Sequence, residues 1–232
     1  MSAPLPFQHR MSPLQTALGW LYLPLHMIVL PLGLGAFVLW FAPELTEIEI
    51  NLAYAGVGMA FVLTVMFSFL RRSFDAFLDR PGFCLWTAVL GFVANYALSI
   101  AIGLLLLLLP QPADNPNDSF ILEMASRNWG AVLAINAILA PIVEEVLFRG
   151  VVFGSLQRCS RMLAYVLSSA LFSLGHVWQY AAAWGDPAVL LYALRYLPVS
   201  VVLAWCYERS GSIWTTIIFH MAFNGISFAV LG

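Results

Sequence analysis

Long apolar stretches separated by short polar segments form the main pattern of this chain. A helix needs about 20 predominantly apolar residues to cross a bilayer. Seven such segments are predicted, near residues 18–42, 51–70, 83–109, 129–148, 162–184, 188–207 and 211–231. Because backbone groups in lipid must bond within their own segment, each segment is predicted to be a helix. The expected fold class is therefore all-α, a polytopic membrane helix bundle with about seven (six to eight) transmembrane helices.

The composition agrees with lipid as the solvent for most of the surface. Apolar residues make up 62% of the chain and charged residues 9%, whereas a soluble domain carries about 25% charged residues. The net charge of −2 gives no support for a nucleic-acid partner. Because the composition is so apolar, the lipid bilayer is the expected partner of most of the protein surface. The oligomeric state stays open.

Chemistry divides the chain into two regions. Residues 1–128 contain about three predicted helices and no motif that we can match, while residues 129–232 contain the remaining helices and all the candidate catalytic groups. The apolar stretch 18–42 is too long for the core of a cleaved signal peptide and is expected to remain as a span. We expect two structural halves of one bundle rather than two independent domains.

The distribution of arginine predicts the orientation. With the N-terminus inside, the inner segments hold seven arginines and the outer segments hold only Arg127. The seven are Arg10, Arg71, Arg72, Arg80, Arg158, Arg161 and Arg209. This asymmetry is typical of the positive-inside rule. We expect a multi-pass protein of the cell membrane with a cytoplasmic N-terminus and an outer C-terminus.

Two adjacent carboxylates lie inside the fourth predicted span, where ionisable groups are costly and indicate function by default. On a helix, Glu145 and Arg149 are i and i+4, share one face and can form a doubly hydrogen-bonded pair. Glu144 is rotated by about 100° from Glu145 and stays available as a general base. The structural alternative is a buried ion pair beside a charge that reaches the interface.

Three further polar residues lie in later spans. His176 follows Gly175 deep within the fifth predicted span, and His220 and Asn224 are i and i+4 on the seventh. Two side chains that donate into one space can stabilise an oxyanion. Taken singly, each residue could instead make a hydrogen bond between helices.

Taken together and in order, these clusters resemble a known family. The motifs are Glu144-Glu145-x-x-x-Arg149, Phe172-x-x-x-His176 and His220-x-x-x-Asn224. This ordered set is similar to the CPBP family of intramembrane proteases, also called Abi, which includes the CAAX prenyl protease type 2. The resemblance covers about residues 129–231, and the flanking Pro141 and Gly150 also resemble the first motif.

The resemblance implies a glutamate-type intramembrane endopeptidase that acts on a membrane-associated protein or peptide. It implies that Glu144 and His176 activate a water molecule and that His220 and Asn224 stabilise the oxyanion. Glu145 and Arg149 would hold the first motif in place. No cofactor is implied, although two histidines and a glutamate could bind zinc instead.

Two other function classes remain open. Intramembrane glutamate and histidine also form proton relays in transporters, although the chain has no visible internal repeat. A non-catalytic relative could act as a membrane scaffold or immunity protein. Outside the motifs, Arg195 could bind a substrate carboxylate or lipid head group, or extend to the interface. His26 is interpreted as a packing residue.

Overall fold

The computed structural model describes residues 7–108 and 115–231, and within these ranges the chain is helical with no strand. Leu109, which the sequence assigns to the third span, and Asp114, which it assigns to an outer segment, lie outside the described residues. Within these ranges ten helices follow one another, with a 3₁₀ turn at Pro187–Tyr192 before the ninth. They are α1 (Pro13–Phe41), α2 (Glu47–Thr64), α3 (Phe67–Leu78), α4 (Pro81–Leu106), α5 (Pro116–Arg127), α6 (Trp129–Leu156), α7 (Arg161–Gly175), α8 (Trp178–Trp184), α9 (Ala193–Ser210) and α10 (Ile213–Leu231).

Six of the described helices are long and apolar enough to cross a membrane. They are α1, α2, α4, α6, α9 with the turn before it, and α10. Helix α7 is also apolar but has only 15 residues. The predicted all-α, polytopic helix bundle is confirmed, and its six long helices and one short one fall within the predicted range.

Local sequence explains where several helices begin and end. Thr46 accepts a hydrogen bond from the backbone of Glu49 while the Glu49 side chain accepts one from Thr46, which forms a capping box at the start of α2. Ser160 caps α7 in a similar way through the backbone of Leu163. Gly211 ends α9 with φ of 69°, a left-handed conformation that glycine adopts without steric cost.

The predicted second span was wrong at its C-terminal end. It was expected to continue to residue 70, but α2 ends at Thr64 and α3 begins at Phe67. Helix α3 is amphipathic: Phe69 and Leu70 are buried, whereas Arg71 and Arg72 are exposed. Helix α3 continues to Leu78, so the polar connection expected after residue 70 is largely helical. A helix with charges on one face can lie along the membrane surface.

The predicted fifth span was wrong in its continuity. It was expected to run from 162 to 184, but α7 ends at Gly175 and α8 begins at Trp178. The imidazole of His176 hydrogen-bonds to the carbonyl oxygen of Phe172, four residues earlier. This bond satisfies a carbonyl in the last turn of α7, and the break leaves His176 at the C-terminal end of that helix.

Helices from both predicted regions share one core. The centre is the second half of α6, where every residue from Glu145 to Phe153 is buried. The most extensive packing between helices joins α4, from the first region, to α9, from the second. The close approach occurs at Gly91, where an added Cβ would lie 2.5 Å from Cys206 Sγ.

We expect Gly91→Ala to destabilise the bundle by about 1–3 kcal/mol, because the new methyl group overpacks the α4–α9 contact. Gly103→Ala on the same helix is the matched control, since an added Cβ there meets no atom within 4 Å. That control is expected to be neutral or stabilising by up to about 1 kcal/mol. Unfolding in detergent measures both values, and equal effects would contradict the packing argument.

Candidate active site

A cavity of about 480 Å³ opens between the helices and collects the residues predicted from the motifs. Glu144, His176, His220 and Asn224 all line it. They come from α6, the end of α7 and α10, so three separate helices contribute. The cavity has both polar and apolar walls, as ligand sites in proteins commonly have.

Three widened, π-helical turns lie beside this cavity. They span Leu25–Val29 in α1, and Ile135–Leu139 and Glu145–Phe153 in α6. Such turns are rare and occur frequently at functional sites. Their carbonyl groups accept hydrogen bonds from side chains of other helices. The pairs are Tyr54 Oη to His26 O (3.2 Å), Asn224 Nδ2 to Asn136 O (2.9 Å) and Ser168 Oγ to Phe148 O (2.8 Å).

The predicted pair of Glu145 and Arg149 is formed and wholly buried, but through one hydrogen bond rather than the expected two. Arg149 Nη1 lies 3.1 Å from Glu145 Oε1, and both side chains have 0% exposure. Arg149 Nη2 also donates to the backbone oxygen and hydroxyl of Ser200, at 3.0 and 2.9 Å. The guanidinium lies 4.3 Å from the centre of the Phe172 ring. These contacts tie α6 to α9 and α7.

His220 joins this buried pair to the cavity. Its Nδ1 lies 2.9 Å from Glu145 Oε1, and because an ionised carboxylate can only accept, Nδ1 carries the proton. Its Nε2 lies 3.8 Å from Glu144 Oε2, beyond hydrogen-bonding distance. The ring is therefore oriented by Glu145 and presents its other nitrogen towards Glu144.

Glu144 differs from its neighbour in exposure and in partners. Its side chain is 22% exposed, compared with 0% for Glu145. Among the described residues it makes no hydrogen bond, and its ionic neighbour is His220 at 3.8 Å. The two adjacent glutamates thus separate as their helical positions predict, into one buried carboxylate and one that faces the cavity.

His176 is held at the end of α7 by two kinds of contact. Its Nδ1 lies 2.9 Å from Phe172 O, to which it donates, so Nε2 is the nitrogen left for the cavity. Its ring stacks on Tyr196 with centroids 4.5 Å apart and an angle of 24° between the planes. No hydrogen bond joins His176 to Glu144 in the described part of the chain, although both line the same space.

Asn224 is half-buried, and its side-chain amide donates one hydrogen bond to the backbone oxygen of Asn136 in α6. The side-chain amide has a second hydrogen and an oxygen for other partners. The structure therefore brings His220 and Asn224 to one cavity, as their spacing predicts. It also gives each of them a partner that the sequence did not indicate.

Several residues of the site were missed by sequence reasoning. Tyr54 from α2 lines the cavity, so the first region contributes to the site even though it carries no matched motif. Tyr196, Ser200 and Asn136 contact the predicted residues directly. The available signal was a polar side chain within an apolar span, which marks a buried contact without naming its partner.

The two residues interpreted outside the motifs both lie at the cavity. His26 is buried, stacks on Tyr54 at 4.5 Å and lies 3.3 Å from Tyr22 Oη, in keeping with its predicted packing role. Arg195 is exposed on the cavity wall, with its guanidinium 5.1 Å from the Tyr192 ring.

The described residues offer no ready metal site. Within residues 7–108 and 115–231, no three His, Cys, Asp or Glu side chains are grouped as ligands for a metal ion. His176 and His220 each use one ring nitrogen for a protein hydrogen bond, and Glu144 and His220 are 3.8 Å apart. The second ring nitrogen of each histidine stays available, as it does in histidines that bind zinc.

Comparisons with known proteins point to the same part of the chain. Residues 126–226 match the model of a family described as type II CAAX prenyl endopeptidase Rce1-like. This match contains all three motifs and ends two residues after Asn224. No solved structure gives a significant match.

Two bacterial relatives are similar over shorter or more divergent stretches. The Bacillus subtilis protein named "Putative membrane peptidase YdiL" is 26% identical over 148 residues, which are 63% of this chain and 56% of that protein. The Lactococcus lactis protein UPF0177 YxdF is 32% identical over 90 residues, 39% of this chain and 44% of that protein. The chain thus spans about half the length of these relatives.

Proposed function

Since the chain belongs to the CPBP family through its Rce1-like region, we propose that it is an intramembrane endopeptidase acting on a membrane-associated protein or peptide. The observation that carries this proposal is the state of Glu144. Its carboxylate has no hydrogen-bond partner among the described residues, and it faces a cavity that also receives His176, His220 and Asn224. Such a group can accept a proton from water.

In the proposed reaction, Glu144 and His176 hold and deprotonate the attacking water. The cavity provides the polar space that hydrolysis needs within apolar surroundings. His176 offers Nε2 because Nδ1 is already bonded to Phe172 O. The water oxygen adds to the scissile carbonyl carbon, and its proton passes to Glu144 and then to the leaving amine. No covalent intermediate with the enzyme is needed.

His220 and Asn224 are proposed to stabilise the tetrahedral oxyanion. Asn224 can donate its second amide hydrogen while the first stays on Asn136 O. His220 can donate through Nε2 when its imidazole carries both protons, since Nδ1–H is directed at Glu145. Donors fixed before reaction stabilise developing charge without reorganisation, which is the usual source of oxyanion-type catalysis.

Glu145 and Arg149 are proposed to support the catalytic groups rather than to react. Glu145 accepts from both Arg149 and His220 through the same oxygen, so the ion pair sets the orientation of the His220 ring. This arrangement corresponds to the way a buried carboxylate holds a histidine in the correct tautomer in other hydrolases. The reaction proposed is glutamate-type and does not use a metal.

We also propose that the protein resides in the cell membrane with its N-terminus in the cytoplasm. The amphipathic helix α3, with exposed Arg71 and Arg72, would then lie on the inner surface. Arginine near the cytoplasmic leaflet is attracted to anionic lipid. With α7 counted as a seventh crossing, the C-terminus would lie outside.

The experiment that tests the function compares membrane proteomes of cells that carry the wild-type protein or Glu144→Ala. An uncut membrane-associated protein is expected to accumulate in the variant, with its cleaved form present only in the wild type. Cleavage of that protein by wild-type membranes is expected to survive chelators. Equal proteomes would support a non-catalytic scaffold, and chelator-sensitive cleavage would contradict the metal-free mechanism.

A further inference from the structure

The ring of His176 is held between a hydrogen bond and a stacked aromatic ring. Its Nδ1 bonds to Phe172 O at 2.9 Å, which fixes the direction of the imidazole. Tyr196, near the start of α9, covers one face of the ring at 4.5 Å and 24°. A hydrogen bond alone permits rotation of the ring about the bonded nitrogen. The Phe172 ring also lies 4.7 Å from the imidazole, at an angle of 45°, so the stack on Tyr196 and this contact together restrict the ring plane and the direction of Nε2.

The hydroxyl group of Tyr196 is itself held by one end of α5. Its oxygen accepts from Asn115 Nδ2 at 3.0 Å and from Asn117 Nδ2 at 3.1 Å. It also lies 3.5 Å from Asp118 Oδ1, the longest of the three contacts. Both lone pairs of the phenol oxygen thus have donors, and its proton points towards an acceptor.

Helix α5 is therefore mechanically linked to the proposed catalytic histidine. It has 12 residues, is not among the six candidate spans and lines the cavity with Phe120, Ile121 and Met124. Asn115 caps it through the backbone of Asn117, so the two amides that hold Tyr196 are part of the start of the helix. Movement of this end of α5 would be transmitted to Tyr196 and then to His176.

We propose that Tyr196 is a positioning residue for His176, and that Asn115 and Asn117 fix Tyr196 so that the rate of hydrolysis depends on the position of α5 at the cavity. This inference rests on the proposed function for its kinetic consequence. Its structural consequence, an imidazole whose environment depends on Tyr196, can be measured without any substrate.

The structural test uses ¹⁵N-histidine labelling of the detergent-solubilised full chain, which has only four histidines. A His176→Ala variant assigns the His176 signals. Tyr196→Leu is expected to shift them because the stacked ring is lost, and the Asn115→Ala/Asn117→Ala double variant is expected to shift them less. Tyr207→Phe on the same helix α9 is the control, since the Tyr207 hydroxyl has no hydrogen-bond partner among the described residues.

The kinetic test uses the membrane protein that accumulates in the Glu144→Ala strain as its substrate. Tyr196→Leu is expected to lower kcat by roughly 10- to 100-fold with little change in KM, as small misplacements of catalytic groups do. Tyr196→Phe keeps the ring but loses the contacts with Asn115 and Asn117, and is expected to recover part of kcat, to the level of the Asn115→Ala/Asn117→Ala double variant. A merely structural role would lower the amount of folded enzyme in both variants without this recovery.

The two proposals fail in different ways. If Glu144→Ala still cuts, the proposed mechanism is lost but the His176 signals can still depend on Tyr196. If those signals are the same in wild type, Tyr196→Leu and the double asparagine variant, the positioning role is overturned whatever the enzyme does. Should Tyr196→Leu not fold, the double asparagine variant and Tyr196→Phe decide the matter through the same signals.

Discussion

Replacing Glu144 by alanine is expected to abolish measurable cleavage while the protein still inserts and folds. The side chain is only 22% exposed and makes no hydrogen bond among the described residues, so its removal breaks no partner contact. Loss of a general base lowers a rate by about 10²- to 10⁴-fold. Loss of both water orientation and proton acceptance places the expected effect at the upper end of that range.

The measurement is turnover of the accumulated substrate by the purified protein in liposomes. Glu144→Gln keeps the shape of the side chain but cannot accept the proton as a carboxylate does, and it is expected to be nearly as inactive. Glu44→Ala is the control, because Glu44 is exposed in the connection between α1 and α2 and does not line the cavity. Retained activity in Glu144→Ala, with Glu44→Ala unchanged, would remove Glu144 from the mechanism.

The largest expected loss of stability follows from Arg149→Met. Arg149 and Glu145 are both fully buried, so the variant leaves a carboxylate in the core without its arginine, although His220 still donates to it. Breaking a buried ion pair from one side typically costs about 3–5 kcal/mol. The variant also removes both hydrogen bonds from Arg149 to Ser200, which connect α6 to α9. Activity should fall as well, since His220 is oriented by Glu145.

Arg127→Met provides the comparison, because Arg127 also pairs with glutamates but is 55% exposed, and its partners Glu47 and Glu123 are 44% and 58% exposed. An exposed pair contributes about 0–1 kcal/mol, so this variant should unfold close to the wild-type midpoint in detergent. The double variant Arg149→Met/Glu145→Leu is expected to recover part of the stability, because it removes the charge left without its arginine. Similar losses in Arg149→Met and Arg127→Met would show that the buried pair has no special weight.

The sequence predicts those parts of the structure that depend on local periodicity. The contact between Glu145 and Arg149 follows from their spacing, and the convergence of His220 and Asn224 on one cavity follows from theirs. The all-α bundle follows from apolar length. Each of these expectations needs only the geometry of one helix and the exclusion of charge from lipid.

The remaining features depend on contacts between distant segments and could not be predicted in this way. The bond from His220 to Glu145 joins residues 75 positions apart, and Tyr196 contacts Asn115 across 81 positions. The break after Gly175 places His176 at a helix end, where its side chain bonds to Phe172 O, and no apolar count detects this. A span assignment based on composition therefore located the candidate catalytic groups but not their partners.

The widened turns of α6 decide where this helix can change in length. Each such turn holds more residues than an α-helical turn. Deleting one residue from a regular α-helix would rotate the remainder by about 100° relative to the part before it. In α6, a deletion among residues 141–143, which are α-helical, would turn Glu145 away from His220, whereas a deletion within Ile135–Leu139 can be taken up by return of the widened turn to an α-helical one. Related chains that retain this chemistry should therefore vary in the length of α6 at its widened turns and not in the α-helical segment between them.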